Sequence, residues 1–200
     1  MKTVVRGFAA VLGMVTVASA ARAKPGFPEF GSSGTAALGA ERLLGLSFVK
    51  VSGDLEGDLT YFHFAGNPSH ATPYDIPKLT FDYFVADHVS LGTGFVFGSL
   101  DPDGGDAVSI VVFSPRVGVG LAISRRAGVW LRGGLTYYNG EEGDVDGFGL
   151  NLDAMFALGI TDTFAFTLGP AFDVGLTGSI GPADVRFSSF GLSSGIAGFF

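Results

Sequence analysis

From Ala36 to Phe200 the chain alternates bulky apolar residues with small or polar ones, in runs separated by turn-forming residues. A side-chain period of two is the geometry of a strand whose two faces differ. Within 107–123 one face carries Phe113, Val117, Val119, Leu121 and Ile123, and the other Ser114, Arg116, Gly118, Gly120 and Ala122. Within 148–160 Phe148, Leu150, Leu152, Phe156, Leu158 and Ile160 oppose Gly149, Asn151, Asp153, Ala157 and Gly159. Within 164–178 Phe164, Phe166, Leu168, Phe172, Val174 and Leu176 oppose Thr167, Gly169, Asp173, Gly175 and Thr177. A soluble barrel of the lipocalin kind would have to bury the bulky row and show the other to water. Glycine and alanine make a poor water-facing surface, because they neither solubilise it nor deter edge pairing. With hydrocarbon outside, the pattern becomes consistent: large residues meet acyl chains and small ones fit a narrow lumen.

The alternation predicts eight strands, at 36–51, 78–86, 89–99, 107–123, 129–139, 148–160, 164–178 and 185–200. Short turns join them at 86–88, 124–128 and 161–163, and longer, acidic, glycine-rich links at 52–77, 101–106, 140–147 and 179–184. Strict alternation of short and long links is the difference between periplasmic turns and extracellular loops, and an even strand count returns both termini to the periplasm. Residues 58–66 also read as a strand. An odd count would leave one terminus outside, so they are expected to extend the first hairpin beyond the membrane, interrupted by Pro68, Pro73 and Pro77.

The 20 Phe, 32 Gly and mean hydropathy of +0.42 fit this reading. No segment after the first 23 residues supplies the ~18 consecutive apolar residues of a membrane helix, and the apolar stretch at the front is too short to span a bilayer. At the front, Lys2 and Arg6 precede an apolar stretch from Phe8 to Val17 and the small-residue sites Ala18-Ser19-Ala20 and Ala21-Arg22-Ala23. This is the pattern of a removable export signal, 1–23, cut after Ala23 with Ala20 as the alternative. Residues 24–35 form a Pro/Gly/Ser leader expected to lie in the periplasm, and 36–200 form the barrel. Removing the signal takes away Lys2, Arg6 and Arg22 and no acid, so 12 basic against 19 acidic residues becomes 9 against 19. That balance argues against a nucleic-acid partner. The chain has no cysteine, and so no lipoprotein anchor, disulfide or thiolate metal site.

Glu41, Asp82, Arg116, Arg132, Asp153 and Asp173 all fall on the inward parity of their strands. An arginine facing lipid at mid-membrane depth would cost about 2–4 kcal/mol. Isolated charges in a narrow lumen are also costly, so Arg116 and Arg132 are expected among the four carboxylates, in bidentate pairs that close the lumen. Tyr83, Phe84, Phe95, Phe97, Trp130, Tyr137, Tyr138, Phe164 and Phe199 lie toward strand ends, where interfacial girdles are expected.

The runs PKLTFDYFVADHVSLGTGFVFG, SPRVGVG, LRGGLTYY, LGPAFDVGL and FGLSSGIAGFF resemble small bacterial outer-membrane proteins of the OmpA/OmpX-like superfold, and most closely the outer-membrane β-barrel domain family. The resemblance covers 36–200 and speaks to architecture more than to activity. It implies an all-β, eight-stranded antiparallel up-and-down transmembrane barrel with a polar, salt-bridged lumen. It also implies that the terminal strand, with Phe190, Leu192, Ile196 and Phe200, carries the signal read by the barrel-assembly machinery. The peptidoglycan-binding domain that follows the barrel in OmpA is not expected here.

The expected role is non-enzymatic, either structural or through loops that meet an extracellular ligand, with outer-membrane lipid and lipopolysaccharide as surroundings. A small ion or solute pore is the alternative from the transport class. A lipid A-modifying enzyme would need a His, a Ser and an orienting carboxylate at the outer leaflet. His63, Ser69, His70 and Asp75 supply those residue types, whereas His88 and Ser90 fall at a periplasmic turn. No nucleophile motif surrounds Ser69. No glycine pattern opens a helix as a phosphate cradle does, and Asp101, Asp103 and Asp106 lack the rest of a calcium loop, so no cofactor or metal is expected.

Overall fold

The computed structural model describes residues 30–65, 72–100, 108–140 and 145–200. These form nine strands: β1 Ala36–Gly53, β2 Gly57–Phe64, β3 Lys78–Ala86, β4 Val89–Leu100, β5 Val108–Ser124, β6 Ala127–Gly140, β7 Val145–Gly159, β8 Phe164–Ile180 and β9 Ala183–Phe199. Every neighbouring pair is antiparallel, and β9 returns to pair with β1 from Ala37↔Phe199 to Gly53↔Val185, closing the sheet into a ring. Reciprocal bonds between Ala36 and Phe200, at 3.0 and 2.9 Å, complete that seam.

Nine strands occupy eight wall positions. On the edge of β1 opposite β9, β3 pairs with Ala36–Glu41 and β2 with Leu44–Val51. The two are therefore successive parts of one wall position, interrupted between Phe64 and Lys78. The sequence reading puts 58–66 beyond the membrane, but Phe64 and Phe62 pair with Leu44 and Leu46 and stand level with them in the wall. The interruption coincides with a bulge in β1 between Glu41 and Leu44, where Arg42 adopts φ 58°. That left-handed conformation is unfavourable for a side-chain-bearing residue. It turns Arg42 inward beside Glu41, so that adjacent residues are both buried.

The bulky row faces out. Phe113, Val117, Leu152, Phe172 and Leu192 are all about half exposed, whereas Arg116 and Arg132 on the other parity are buried. This excludes the soluble lipocalin-like arrangement, which would place the bulky row in the centre. Small residues make the interior possible: a methyl group at Gly92 would collide with the Asp82 carboxylate, and one at Gly118 with Ser90 and the Trp130 indole.

Four residues expected in the outer girdles lie inside instead: Phe84, Trp130, Tyr138 and Phe199, each no more than 1 % exposed. Tyr83, Phe95, Phe97 and Tyr137 do face outward. The end of the leader also departs from expectation. Phe30 enters the barrel mouth and contacts Phe84, Trp130 and Phe199 edge-on at 5.7–5.9 Å. Neighbouring backbone bonds hold it there, His88 N to Gly31 O at 2.6 Å and Gly34 N to Phe84 O at 2.8 Å. Residues 1–29, which include the export signal, lie outside the described residues.

Candidate functional site

Among the described residues, ionisable side chains are concentrated away from water in the lumen. Its centre is built on Glu41. Arg116 donates from Nη1 and Nη2 to the two Glu41 oxygens at 2.7 and 2.9 Å, and from Nε to Asp82 Oδ1 at 3.0 Å. A further bond joins Arg116 Nη2 to Asp82 Oδ2. Arg132 donates to Glu41 Oε1 and, through Nε, to Asp153 Oδ1 at 2.7 Å. Five charged groups on β1, β3, β5, β6 and β7 are thus linked across the bore. Arginine's planar fork suits this task because it engages two carboxylates without rotating.

Asp173 stands apart from that group. Its partners are Arg42 Nη2 at 2.8 Å and the Ser189 hydroxyl at 3.1 Å. Arg42 Nη1 donates to Asp75 Oδ1 at 3.1 Å. Asp75 Oδ2 accepts from the Tyr61 and Thr72 hydroxyls at 2.8 and 3.1 Å. Residues 72–76, which precede β3, are therefore held in the lumen through the Asp75 carboxylate, and Asp75 is 1 % exposed. Arg42, Asp75 and the buried Lys78 extend the ionic layer beyond the six residues read from strand parity. Lys78 was accessible to that reading, since it shares the parity of Asp82; Arg42 was not, because only the bulge turns it inward. Among the described residues, five carboxylates and three arginines then make up the two linked groups, and Lys78 is buried beside them.

Aromatic layers cap the ions on both sides. Toward the termini, Phe84 stacks on Trp130 at 5.5 Å, and Arg132 lies 4.7 Å above the Trp130 ring, a cation–π contact. The Trp130 indole donates to Ser90 Oγ at 3.1 Å. Toward the other end, Tyr74 of the inserted segment meets Tyr138 edge-on at 5.7 Å, packed with Val96, Ile110 and Val112.

Of the residue types weighed for lipid chemistry at the outer leaflet, His63 and Asp75 are among the described residues. His63 Nε2 lies 4.0 Å from Asp75 Oδ1, inside the lumen, while Asp75 is already engaged by Arg42. Ser90 is taken up by Trp130, and His88 Nδ1 lies 3.0 Å from Gly120 O in the turn between β3 and β4. Ser69, His70, Asp101, Asp103 and Asp106 lie outside the described residues. Each of Glu41, Asp75, Asp82, Asp153 and Asp173 is tied to an arginine. This chemistry suits clamping strands together rather than moving protons.

On the terminal strand, Phe190 and Leu192 are exposed on the outward face, and Ile196 and Phe200 are half-buried at the closing seam.

No family model and no curated protein sequence matches the chain. Among solved structures it is similar to Neisserial surface protein A, with a TM-score of 0.51 at 13 % identity, covering 84 % of this chain and 98 % of that one. The outer-membrane protein AlkL in lipid bilayers is matched with a TM-score of 0.49 at 14 % identity, over 84 % and 91 % of the two chains. OprG from Pseudomonas aeruginosa is matched at 0.47 and 9 %, over 86 % and 98 %. At such identities the first of these establishes the fold alone: a small outer-membrane β-barrel.

Proposed function

We propose that this chain is an integral outer-membrane barrel, exported through a cleaved signal peptide, that does no chemistry in its lumen and acts through its outer surface and extracellular loops. The observation that carries the reading is the filling of the bore by three successive layers. The Phe30 cluster lies near the termini, the two arginine–carboxylate groups in the middle, and the Tyr74–Tyr138 cluster beyond. An ion following the axis would have to displace aromatic rings and separate buried ion pairs, and a buried pair is costly to break. By resemblance, the strand ending at Phe200 is the part that the barrel-assembly machinery recognises.

Planar-bilayer recording of the purified protein tests the reading against a pore. The expected record has no stable open level. Sustained, sizeable single-channel steps from the wild type would replace this reading with the transport alternative.

A further inference from the structure

The mouth at the terminal end of the barrel is filled by a side chain that belongs to no strand. Phe30 precedes β1, yet it is only 2 % exposed. Three rings meet it edge-on, Phe84 of β3 at 5.9 Å and both Trp130 of β6 and Phe199 of β9 at 5.7 Å. Glycine in the wall makes the room. A methyl group at Gly128 would lie 2.5 Å from the Phe30 ring, and one at Gly120 would lie 3.2 Å from it. Neither glycine has a positive φ, so the missing side chains serve the ring and not a turn of the chain.

The chemistry of this seat is uniform. Ala37, Met155, Ala157, Ala165 and Ala197 complete its buried lining, and the Trp130 indole N–H is already donated to Ser90 Oγ at 3.1 Å. Edge-on contact suits an aromatic occupant, because the positive edge of one ring then meets the negative face of another. A charged occupant would find no partner there, at a large desolvation cost. The seat therefore fits one neutral ring the size of benzene.

The tether that holds Phe30 in place is lighter than the seat. His88 N–H donates to Gly31 O at 2.6 Å, Gly34 N–H to Phe84 O at 2.8 Å and Ser33 N–H to Asp87 Oδ1 at 3.0 Å, all at the β3–β4 turn. Ser33 and Gly34 are exposed. Gly31 and Gly34 take φ of 92° and 89°, which glycine adopts without steric cost, so the chain turns in and out of the mouth within a few residues. A short exposed segment fixed by few bonds opens at the low-energy end of local unfolding. Beneath the ring, the bore stays closed whether or not Phe30 is present. Phe84 stacks on Trp130 at 5.5 Å, and Arg132 above Trp130 is bound to Glu41 and Asp153. Withdrawing Phe30 thus opens a blind apolar pocket, the kind of cavity that stays dry and takes up benzene.

We propose that the terminal mouth is a binding pocket for a small neutral aromatic molecule, and that Phe30 is its tethered plug, displaced when the ligand enters. Ring and ligand compete for one seat, so the plug sets the affinity: the pocket binds only in the fraction of molecules whose plug is out. The proposal shares the Phe30 layer with the reading above. It does not depend on whether the wild-type lumen conducts.

Fluorobenzene is the probe, titrated into the full barrel in nanodiscs. Trp130, the single tryptophan, reports the pocket by its fluorescence, and a spin label on Ser33→Cys reports the plug, since the chain has no other cysteine. Phe30→Ala is expected to give a saturable Trp130 response, and Phe30→Ala/Gly128→Ala to lose it. Wild type should saturate at about tenfold higher concentration, the Ser33 label becoming mobile over the same range. Cyclohexane should mobilise the label less than fluorobenzene does. A Phe30→Ala barrel without a saturable response, or one unaffected by Gly128→Ala, overturns the pocket. A wild-type label that stays immobile at concentrations far above those that saturate Phe30→Ala overturns the plug, and equal mobilisation by cyclohexane overturns the aromatic preference. Phe30→Ala should also remain silent in planar bilayers; channel steps from this variant alone would show an open floor and overturn the blind pocket, leaving the wild-type reading intact. Heat-modifiable gel migration verifies folding. If Phe30→Ala fails to fold, the wild-type label decides: mobilisation by fluorobenzene that Gly128→Ala abolishes supports the proposal, and an immobile label overturns it.

Discussion

Replacing Arg116 with Met is expected to destabilise the barrel by about 3–5 kcal/mol, the usual consequence of removing one partner from a buried ion pair. Arg116 makes two bonds to Glu41 and two to Asp82. Without it Glu41 keeps Arg132, but Asp82, 1 % exposed, loses its cationic partner. The cost arises from the stranded Asp82 carboxylate more than from the lost attraction. Adding Asp82→Asn to Arg116→Met should therefore recover much of the stability. Urea unfolding from lipid vesicles, followed by heat-modifiable migration, measures both variants. Wild-type stability for Arg116→Met would show that the central ion group does not hold the wall together.

The second large effect lies on the opposite parity of the same wall. Leu152 is 60 % exposed, and in a water-soluble protein replacing so exposed a side chain would change stability by no more than about 0.5 kcal/mol. Facing hydrocarbon near mid-depth, Leu152→Arg should instead cost about 2–4 kcal/mol. The same unfolding assay reads it, and the penalty should shrink at outward positions nearer the rim, such as Tyr137. A neutral Leu152→Arg would place that face in water.

Strand positions were legible because period two survives in every wall segment. Reading 78–86 gives β3 itself, and 89–99 and 107–123 fall within one residue of β4 and β5 at each end. Parity alone also places Arg116, Arg132, Asp153 and Asp173 on the lumen side. It fails at Arg42, whose even position in β1 should face lipid; a left-handed kink at an arginine leaves no mark in the residue pattern. The prolines near 68–77 announce a break, but their spacing does not say that the residues before β3 place Asp75 and Tyr74 in the bore. The aromatics were a different matter. Phe84 shares the parity of Asp82, and Trp130 that of Arg132, so their inward placement was available in the sequence. Assigning them by distance from strand ends hid the two aromatic layers that cap the ions.

The chain's single tryptophan gives the most direct test of which row meets lipid. Native Trp130 and a Trp130→Phe variant carrying Leu152→Trp can each be reconstituted in vesicles with brominated acyl chains and their fluorescence quenching compared. Strong quenching of the probe at position 152, with weak quenching of native Trp130, is the predicted result. Strong quenching of Trp130 alongside an unquenched probe at 152 would turn the wall inside out and contradict the account.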